Sequence, residues 1–242
     1  MIQDQLKVLE LFAGSRSIGK EAEKLGYSVF SVDKFVKKNM DCICDIKDLT
    51  KQFIIDSFGY PNIIWASPVC SVWSKAGWFN HWDTDIYRIT KQFLPKTDYA
   101  NESIFMIKKT IEIFSWFKDA VFYMENPEGM LAFHPVIRLF DIYGIQNRKV
   151  LITYCQYGHK TRKPTNIWTN NFEWFPKVPC KNRSKCHIKS PRDTNTGIMS
   201  FKNSYDRSII PEQLCKEILL STKKDPDQVI EEKTLRQTLI NF

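Results

Sequence analysis

The stretch Leu9–Asp33, "LELFAGSRSIGKEAEKLGYSVFSVD", decides the fold. An apolar run of strand type ends in a turn at Gly14, and the segment that follows has apolar residues at helical spacing and closes at Gly26. A second strand then ends on Asp33. Strand, glycine turn, helix and strand in this order predict part of a parallel α/β sheet, which binds ligands at the carboxyl ends of its strands.

The spacing between the turn and the second strand indicates a type of ligand. Asp33 lies nineteen residues after Gly14, which is typical of a nucleoside cofactor site, because an acid at this strand end binds the ribose hydroxyls. The glycines are too few for the G-x-G-x-x-G pattern, which disfavours a dinucleotide. A purely structural turn is the alternative interpretation.

The rest of the chain continues the alternation of strands and helices. The predicted elements are a short strand in "DCICDI", a strand "PNIIWAS", a helix "YANESIFMIKKTIEIFSWF", a strand "AVFYMENP", two strands "VLITYCQYG" and "NIWTN" around the basic loop "HKTRKPT", and a helix "SIIPEQLCKEILLS". We divide the chain into an α/β domain (1–170), a small loop-rich segment (171–206), and a C-terminal helix and tail (207–242) that pack back on the first domain.

Composition limits the class of protein. The net charge of +8, from 35 basic and 27 acidic residues, fits a polyanionic partner such as nucleic acid, although solubility alone also explains it. No apolar run reaches about 18 residues and the first residues do not resemble a secretion signal. We therefore expect no membrane span and a cytoplasmic location. Seven cysteines, an odd number, favour reduced thiols.

Four motifs, "ELFAGSRSIG", "SPVC", "YMENPEG" and "YGHKTRKPTNIWTN", follow one another in the chain. In this order and spacing they resemble the cofactor, nucleophile, acid and basic motifs of the DNA cytosine-5 methyltransferases, and most closely the short, phage-type members whose acidic motif reads Glu-Asn-Pro. The resemblance implies a Rossmann-like S-adenosylmethionine-dependent methyltransferase fold, in which residues 1–170 are the catalytic and cofactor-binding domain and residues 171–206 are a very small recognition segment. It also implies S-adenosylmethionine as cofactor, double-stranded DNA as partner and a bacterial or phage-infected host cell, and we expect a monomer.

The resemblance implies cofactor contacts at the ends of the first strands. The first turn lines the cofactor, Asp33 meets the ribose, and Asp45 with Ile46 contacts the adenine edge. A solvated loop acid is the alternative for Asp45. The complete set of implied cofactor contacts is Phe12, Ala13, Gly14, Asp33, Asp45, Ile46 and Pro68.

The "SPVC" motif supplies the thiol that the reaction needs. Cytosine C5 is a poor nucleophile, so a thiolate must first add to C6 to make C5 electron-rich. The resemblance implies that Cys70 is this nucleophile, that Glu125 holds N3 and N4 of the base and favours the protonated ring, and that Arg162 reaches the base or its phosphate. An inert thiol, an ordinary strand-end carboxylate and a solvated loop arginine are the respective alternatives.

The same motifs imply contacts to a base that is flipped out of the duplex. The predicted substrate contacts are Ser71, Asn126, Pro127, Lys163 and Thr165. Val72, Trp73 and the aromatic stretch "GWFNHWDTDIY" can fill or flank the gap left in the duplex, but core packing is the favoured role for most of these rings.

Two other functions stay open. A related C5 methyltransferase acting on RNA or on free cytosine nucleotides needs the same Cys and Glu chemistry. Val69 separates Pro68 from Cys70, whereas in the family a proline usually precedes the cysteine directly. A cofactor- and DNA-binding module without turnover is therefore the second alternative.

The recognition segment contains three potential zinc ligands, Cys180, Cys186 and His187. A structural zinc site needs four ligands and no fourth is evident nearby in the sequence, so we predict no metal site. Four basic residues of the segment are instead predicted to contact DNA: Lys181, Arg183, Lys185 and Arg192. A segment this short predicts short or relaxed sequence specificity.

Overall fold

One seven-stranded sheet organises residues 5–35, 39–181, 184–188, 206 and 208–222, which are the residues that the computed structural model describes. The strand order is β3-β2-β1-β4-β5-β7-β6. The strands are β1 (Lys7–Leu11), β2 (Ser28–Asp33), β3 (Cys42–Ile43), β4 (Ile63–Ala66), β5 (Val121–Pro127), β6 (Arg148–Thr153) and β7 (Pro164–Thr169).

Helices cover both faces of the sheet. They are α1 (Ser17–Lys24), α2 (Lys51–Ser57), α3 (Trp78–His81), α4 (Thr84–Thr90), α5 (Asp98–Trp116), α6 (Leu139–Ile142) and α7 (Glu212–Ser221). Alternate residues of β4 enter different cores: Ile63 and Trp65 pack with α1 and α7, whereas Ile64 and Ala66 pack with α5. No helix among the described residues is both long enough and apolar enough to cross a membrane.

One strand departs from the predicted parallel arrangement. β1 pairs in parallel with β2 and β4, and β4 with β5, but β7 is antiparallel to both of its neighbours, β5 and β6. The reason is the short connection from β6 to β7, which allows a hairpin and not a crossover helix. The predicted strand "VLITYCQYG" accordingly ends at Thr153, and a 3-10 turn, Tyr154–Tyr157, follows.

The aromatic stretch after the cysteine loop contains α3 and the start of α4, and the tryptophans of this region are part of the core. Trp73, Trp78 and Trp82 are at most 6% exposed, and the Trp78 and Trp82 rings stack at 5.5 Å between centroids. Val72 is also fully buried. These side chains therefore hold the loop after Cys70 in place and are not available to fill a gap in a duplex.

A buried carboxylate on β1 fixes the start of α1. Glu10 is 1% exposed, and its Oε1 accepts the main-chain N–H groups of Ile18 and Gly19, both at 3.1 Å. Its Oε2 accepts the hydroxyl of Ser31 on β2 at 2.9 Å. A Cβ at Gly19 would lie 2.6 Å from Oε2, so this position requires glycine. Glu10 thus caps the helix from the neighbouring strand, and burial raises its pKa to about 7.

The raised pKa of Glu10 predicts a pH dependence of stability. Folding strengthens proton binding here, so the stability that Glu10 contributes is complete below its unfolded pKa near 4.5 and is lost as the pH rises through 7. We expect the free energy of unfolding of the wild type to fall by about 3 kcal/mol more than that of Glu10→Gln between about pH 4 and about pH 8. Urea unfolding across this range measures it. The exposed Glu102→Gln should follow the wild type, and parallel curves for wild type and Glu10→Gln would contradict the prediction.

Candidate active site

The predicted site residues follow strand ends at one edge of the sheet. The register pairs Leu11 of β1 with Val32 of β2 and with Ala66 of β4, and it pairs Ala66 with Met124 of β5. The four strands are parallel and end almost level. The turn after β1, the acid at the end of β2, the cysteine loop after β4 and the acid of β5 therefore meet at this edge.

The turn after β1 is tied to the end of β2. Phe12 and Gly14 both have left-handed backbone conformations, with φ of 55° and 52°. The N–H of Gly14 donates to Oδ2 of Asp33 at 2.9 Å, and the N–H of Phe35 donates to Oδ1 at 2.9 Å. Each carboxylate oxygen retains a lone pair, so Asp33 can also accept two hydroxyl groups. This arrangement fits the ribose of a nucleoside cofactor.

The other predicted cofactor residues lie in the turn itself or follow the ends of β3 and β4. Ala13 is 6% exposed beneath the turn, and Pro68 is buried in the loop after β4. Asp45 is half-buried and accepts the N–H of Lys47 at 3.0 Å, which caps a 3-10 turn, Ile46–Asp48. The side chain of Ile46 is part of the core, so only its main chain can face a ligand.

The cysteine loop forms a helical turn that is fastened to β5. The carbonyl of Cys70 accepts the N–H groups of Trp73 and Ser74 at 3.1 and 3.0 Å. The Nδ2 of Asn126, in the last part of β5, donates to the carbonyl of Pro68 at 3.2 Å. Val69, which separates Pro68 from the half-buried Cys70, packs its side chain against the core, and this contact helps to fix the loop.

Close backbone approach fixes the far side of the same loop. The N–H of Met130 donates to the carbonyl of Trp73 at 2.8 Å, and a Cβ at Gly129 would lie 2.2 Å from that oxygen. Ser71 is exposed, with its hydroxyl 3.3 Å from that of Tyr99. The loop is therefore a rigid element that leaves the Ser71 side chain accessible.

The acid of β5 is buried among hydrogen-bonding partners. Glu125 is 5% exposed, and its Oε1 accepts the hydroxyl of Tyr154 at 2.9 Å and lies 3.4 Å from Nζ of Lys163. Burial and the Glu125 carboxylate raise the pKa of Tyr154 well above its usual range, so the phenol stays neutral and donates. Sequence reasoning missed Tyr154, because a tyrosine inside an apolar strand pattern looks like a core residue.

The basic residue beside Glu125 is Lys163. Arg162 instead donates from Nε to the carbonyl of Cys180 at 3.1 Å. Neighbouring residues of an extended chain face opposite ways, and Lys163 shares its orientation with Thr165, which is fully buried and pairs with Pro127. The catalytic role assigned to Arg162 stays a prediction, whereas contact with the buried acid comes from a residue that was assigned only to the substrate.

Part of the recognition segment lies outside the described residues. Lys181 and Lys185 are exposed, as a contact to DNA requires. Arg183 and Arg192 lie outside the described residues, as does the tail after Thr222. The C-terminal helix α7 packs against α1. Just before α7, the N–H of Ile210 donates to the hydroxyl of Ser17 at 3.1 Å.

Comparison with known proteins identifies the fold. No protein-family model and no curated protein matches the chain. Among solved structures, the Entamoeba histolytica methyltransferase EhMeth matches with a TM-score of 0.52 and 11% identity over 78% of this chain and 58% of that one. A protein described as a DNA modification methyltransferase encoded within an E. coli prophage matches with a TM-score of 0.51 and 14% identity over 73% and 52%.

These similarities confirm the predicted fold class. The chain has the Rossmann-like fold of S-adenosylmethionine-dependent methyltransferases, with a seven-stranded sheet in its described part. Identities of 11% and 14% establish the fold alone. The chain spans only 58% and 52% of the length of these two proteins.

Proposed function

We propose that the protein transfers a methyl group from S-adenosylmethionine to C5 of cytosine in DNA. The proposal rests above all on one observation: the loop that carries Cys70 and the strand that carries the buried Glu125 are neighbours, joined by the hydrogen bond from Asn126 to Pro68. A thiol and a carboxyl group on adjacent strand ends are the two groups that attack on cytosine C6 requires.

The chain's own residues account for the attack on the base. The thiolate of Cys70 bonds to C6, and Glu125 shares a proton with N3 as electron density moves into the ring. Lys163 and Tyr154 hold Glu125 in one orientation. S-adenosylmethionine supplies an electrophilic methyl group. Water would then take the C5 proton, the C–H electron pair re-forms the C5–C6 double bond, and the C6–S bond breaks to regenerate the Cys70 thiolate.

The turn after β1 supports the cofactor part of the proposal. Asp33 is held by two N–H groups and retains acceptor capacity for ribose hydroxyls, and Phe12 offers an apolar surface in a strained backbone conformation. Asp45 lies at the end of the next strand and can meet the exocyclic amine of an adenine. These groups suit the nucleoside part of S-adenosylmethionine.

Two observations favour DNA as the substrate. The chain carries a net charge of +8, and one structural neighbour is described as a DNA modification methyltransferase. A base inside a duplex must be flipped before a thiol reaches C6. Lys181 and Lys185 are exposed, so their side chains are accessible to phosphates.

Labelled methyl transfer to duplex DNA, tRNA and dCMP, assayed in parallel, tests the proposed substrate. We expect transfer to duplex DNA, with 5-methylcytosine as the only labelled base. Transfer to tRNA or dCMP alone would show that the enzyme is a C5 methyltransferase for RNA or for free cytosine nucleotides. Cofactor binding without transfer to any of the three would support a binding module.

Replacing Asp33 by asparagine tests the cofactor site separately. The amide keeps an oxygen for the N–H of Gly14 but loses the charge that ribose hydroxyls bind. We expect S-adenosylmethionine binding to weaken by about 1–3 kcal/mol, measured by calorimetry. Asp56→Asn, on the exposed side of α2, is the matched control and should bind as the wild type does. Equal affinities for wild type and Asp33→Asn would contradict the site.

A further inference from the structure

A second cluster of reactive side chains lies between the end of β6 and the recognition segment. It consists of Cys155, Cys180, Cys186 and His187, whose potential ligand atoms all lie within 4.8 Å of one another. Only the last three stand out in the sequence, where the absence of a fourth ligand nearby predicts no metal site. The fold supplies it, because the 3-10 turn after β6 carries Cys155 to the later loop.

The distances agree with the geometry of one metal ion. Zinc bonds sulfur at about 2.3 Å and nitrogen at about 2.0 Å, so ligand atoms at tetrahedral angles are roughly 3.5–3.8 Å apart. Sγ of Cys186 is 3.8 Å from Sγ of Cys155, and Nδ1 of His187 is 3.7 Å from Sγ of Cys180 and 3.5 Å from Sγ of Cys186. The Sγ atoms of Cys155 and Cys180 are 3.0 Å apart and would have to move slightly further apart to bind the same ion.

Neighbouring groups already orient the ligands. The N–H of Cys180 donates to the hydroxyl of Thr153 at 2.9 Å, and Nε2 of Gln156 donates to Sγ of Cys186 at 3.4 Å. Cys155 and Cys180 are buried, while Cys186 is exposed, so an ion can enter from one side. Such outer contacts hold ligands in position in structural metal sites.

We propose that Cys155, Cys180, Cys186 and His187 bind one structural zinc ion. Three thiolates and one imidazole form a ligand set that zinc favours, and four protein ligands leave no open position for catalysis. This proposal does not depend on the proposed function.

The ion would fasten the recognition segment to the basic loop before β7. The carbonyl of Cys180 accepts from Arg162 at 3.1 Å, and the N–H of Ile188 donates to the carbonyl of Lys160 at 2.9 Å. Both contacts flank the ligands, and Lys163, which meets Glu125, ends the same loop. Zinc thereby holds Lys181 and Lys185 on a surface that is fixed to the basic loop, which a segment of this size cannot achieve with a hydrophobic core of its own.

Metal content of the full chain tests the proposal. The protein, purified without a histidine tag under reducing conditions, should contain about one zinc ion per chain by mass spectrometry. Cys186→Ser and His187→Ala should each lower zinc content at least tenfold, whereas Cys42→Ser, a thiol outside the cluster, should retain it. Zinc-free wild type titrated with cobalt should show the visible bands of tetrahedral thiolate coordination, and Cys186→Ser should not.

Stability provides a second measurement that does not require the variants to bind metal. A chelator should lower the melting temperature of the wild type and of Cys42→Ser but leave that of Cys186→Ser unchanged, because zinc binding adds to folding stability. Reduced wild type without zinc and without cobalt bands would overturn the proposal. A Cys155–Cys180 disulfide found by peptide mapping in zinc-free protein would also overturn it, since these thiols would then be a redox pair.

Discussion

Cys70→Ala should abolish methyl transfer while cofactor affinity stays close to that of the wild type. Without the thiol no bond forms at C6, so C5 keeps its low reactivity, and we expect the rate to fall by about a thousandfold or more. The cofactor turn follows β1 and is bonded to Asp33 at the end of β2, whereas Cys70 lies in the loop after β4. Single-turnover methyl transfer and calorimetry with S-adenosylmethionine separate the two effects.

Covalent trapping gives an independent measure of the same bond. A duplex with 5-fluorocytosine should bind the wild type irreversibly when the cofactor is present, because fluorine at C5 prevents the proton loss that releases Cys70. Cys42→Ser retains every group in the proposed mechanism, so it should be trapped like the wild type. Trapping of Cys70→Ala, or turnover by that variant, would remove Cys70 from the nucleophile role.

The parts of the fold that depend on local patterns could be predicted from the sequence. The strand, turn and helix in Leu9–Asp33 form as the periodicity indicates, and the acid at the end of β2 reaches the glycine turn. The reversal of β7 could not be read from periodicity, because parallel and antiparallel strands buried on both faces have the same apolar pattern. Only the shortness of its connection to β6 carried that information.

The features that the sequence did not predict depend on which residues meet in the fold. Glu10 looks like an interruption of an apolar strand, yet it caps α1 from within the core. The choice between Arg162 and Lys163 depends on which of two neighbours faces β5, and motif spacing is too coarse to decide that. Cys155 precedes Cys180 by 25 residues, with β7 between them, so only the hairpin brings the cluster together.

Glu125→Gln should slow methyl transfer by about a hundred- to ten-thousandfold, the usual range for loss of a group that shares a proton with the reacting atom. Glutamine has the same size and keeps an oxygen that accepts from Tyr154, so the loop geometry should persist. The matched control is Glu128→Gln. Glu128 also pairs with a lysine, Lys75 at 2.9 Å, but is partly exposed at the surface, and its loss should change the rate less than about twofold.

A loss of stability could also lower the activity of Glu125→Gln, because Lys163 loses the buried carboxylate that lies 3.4 Å from its Nζ. Breaking a buried pair on one side costs about 3–5 kcal/mol, and the amide oxygen should recover part of that loss. The double variant Glu125→Gln, Lys163→Gln removes both charges and should melt at a higher temperature than Glu125→Gln. If the carboxyl group acts on the base, the double variant gains stability but no activity. Recovery of methyl transfer together with stability would instead make Glu125 a structural partner of Lys163.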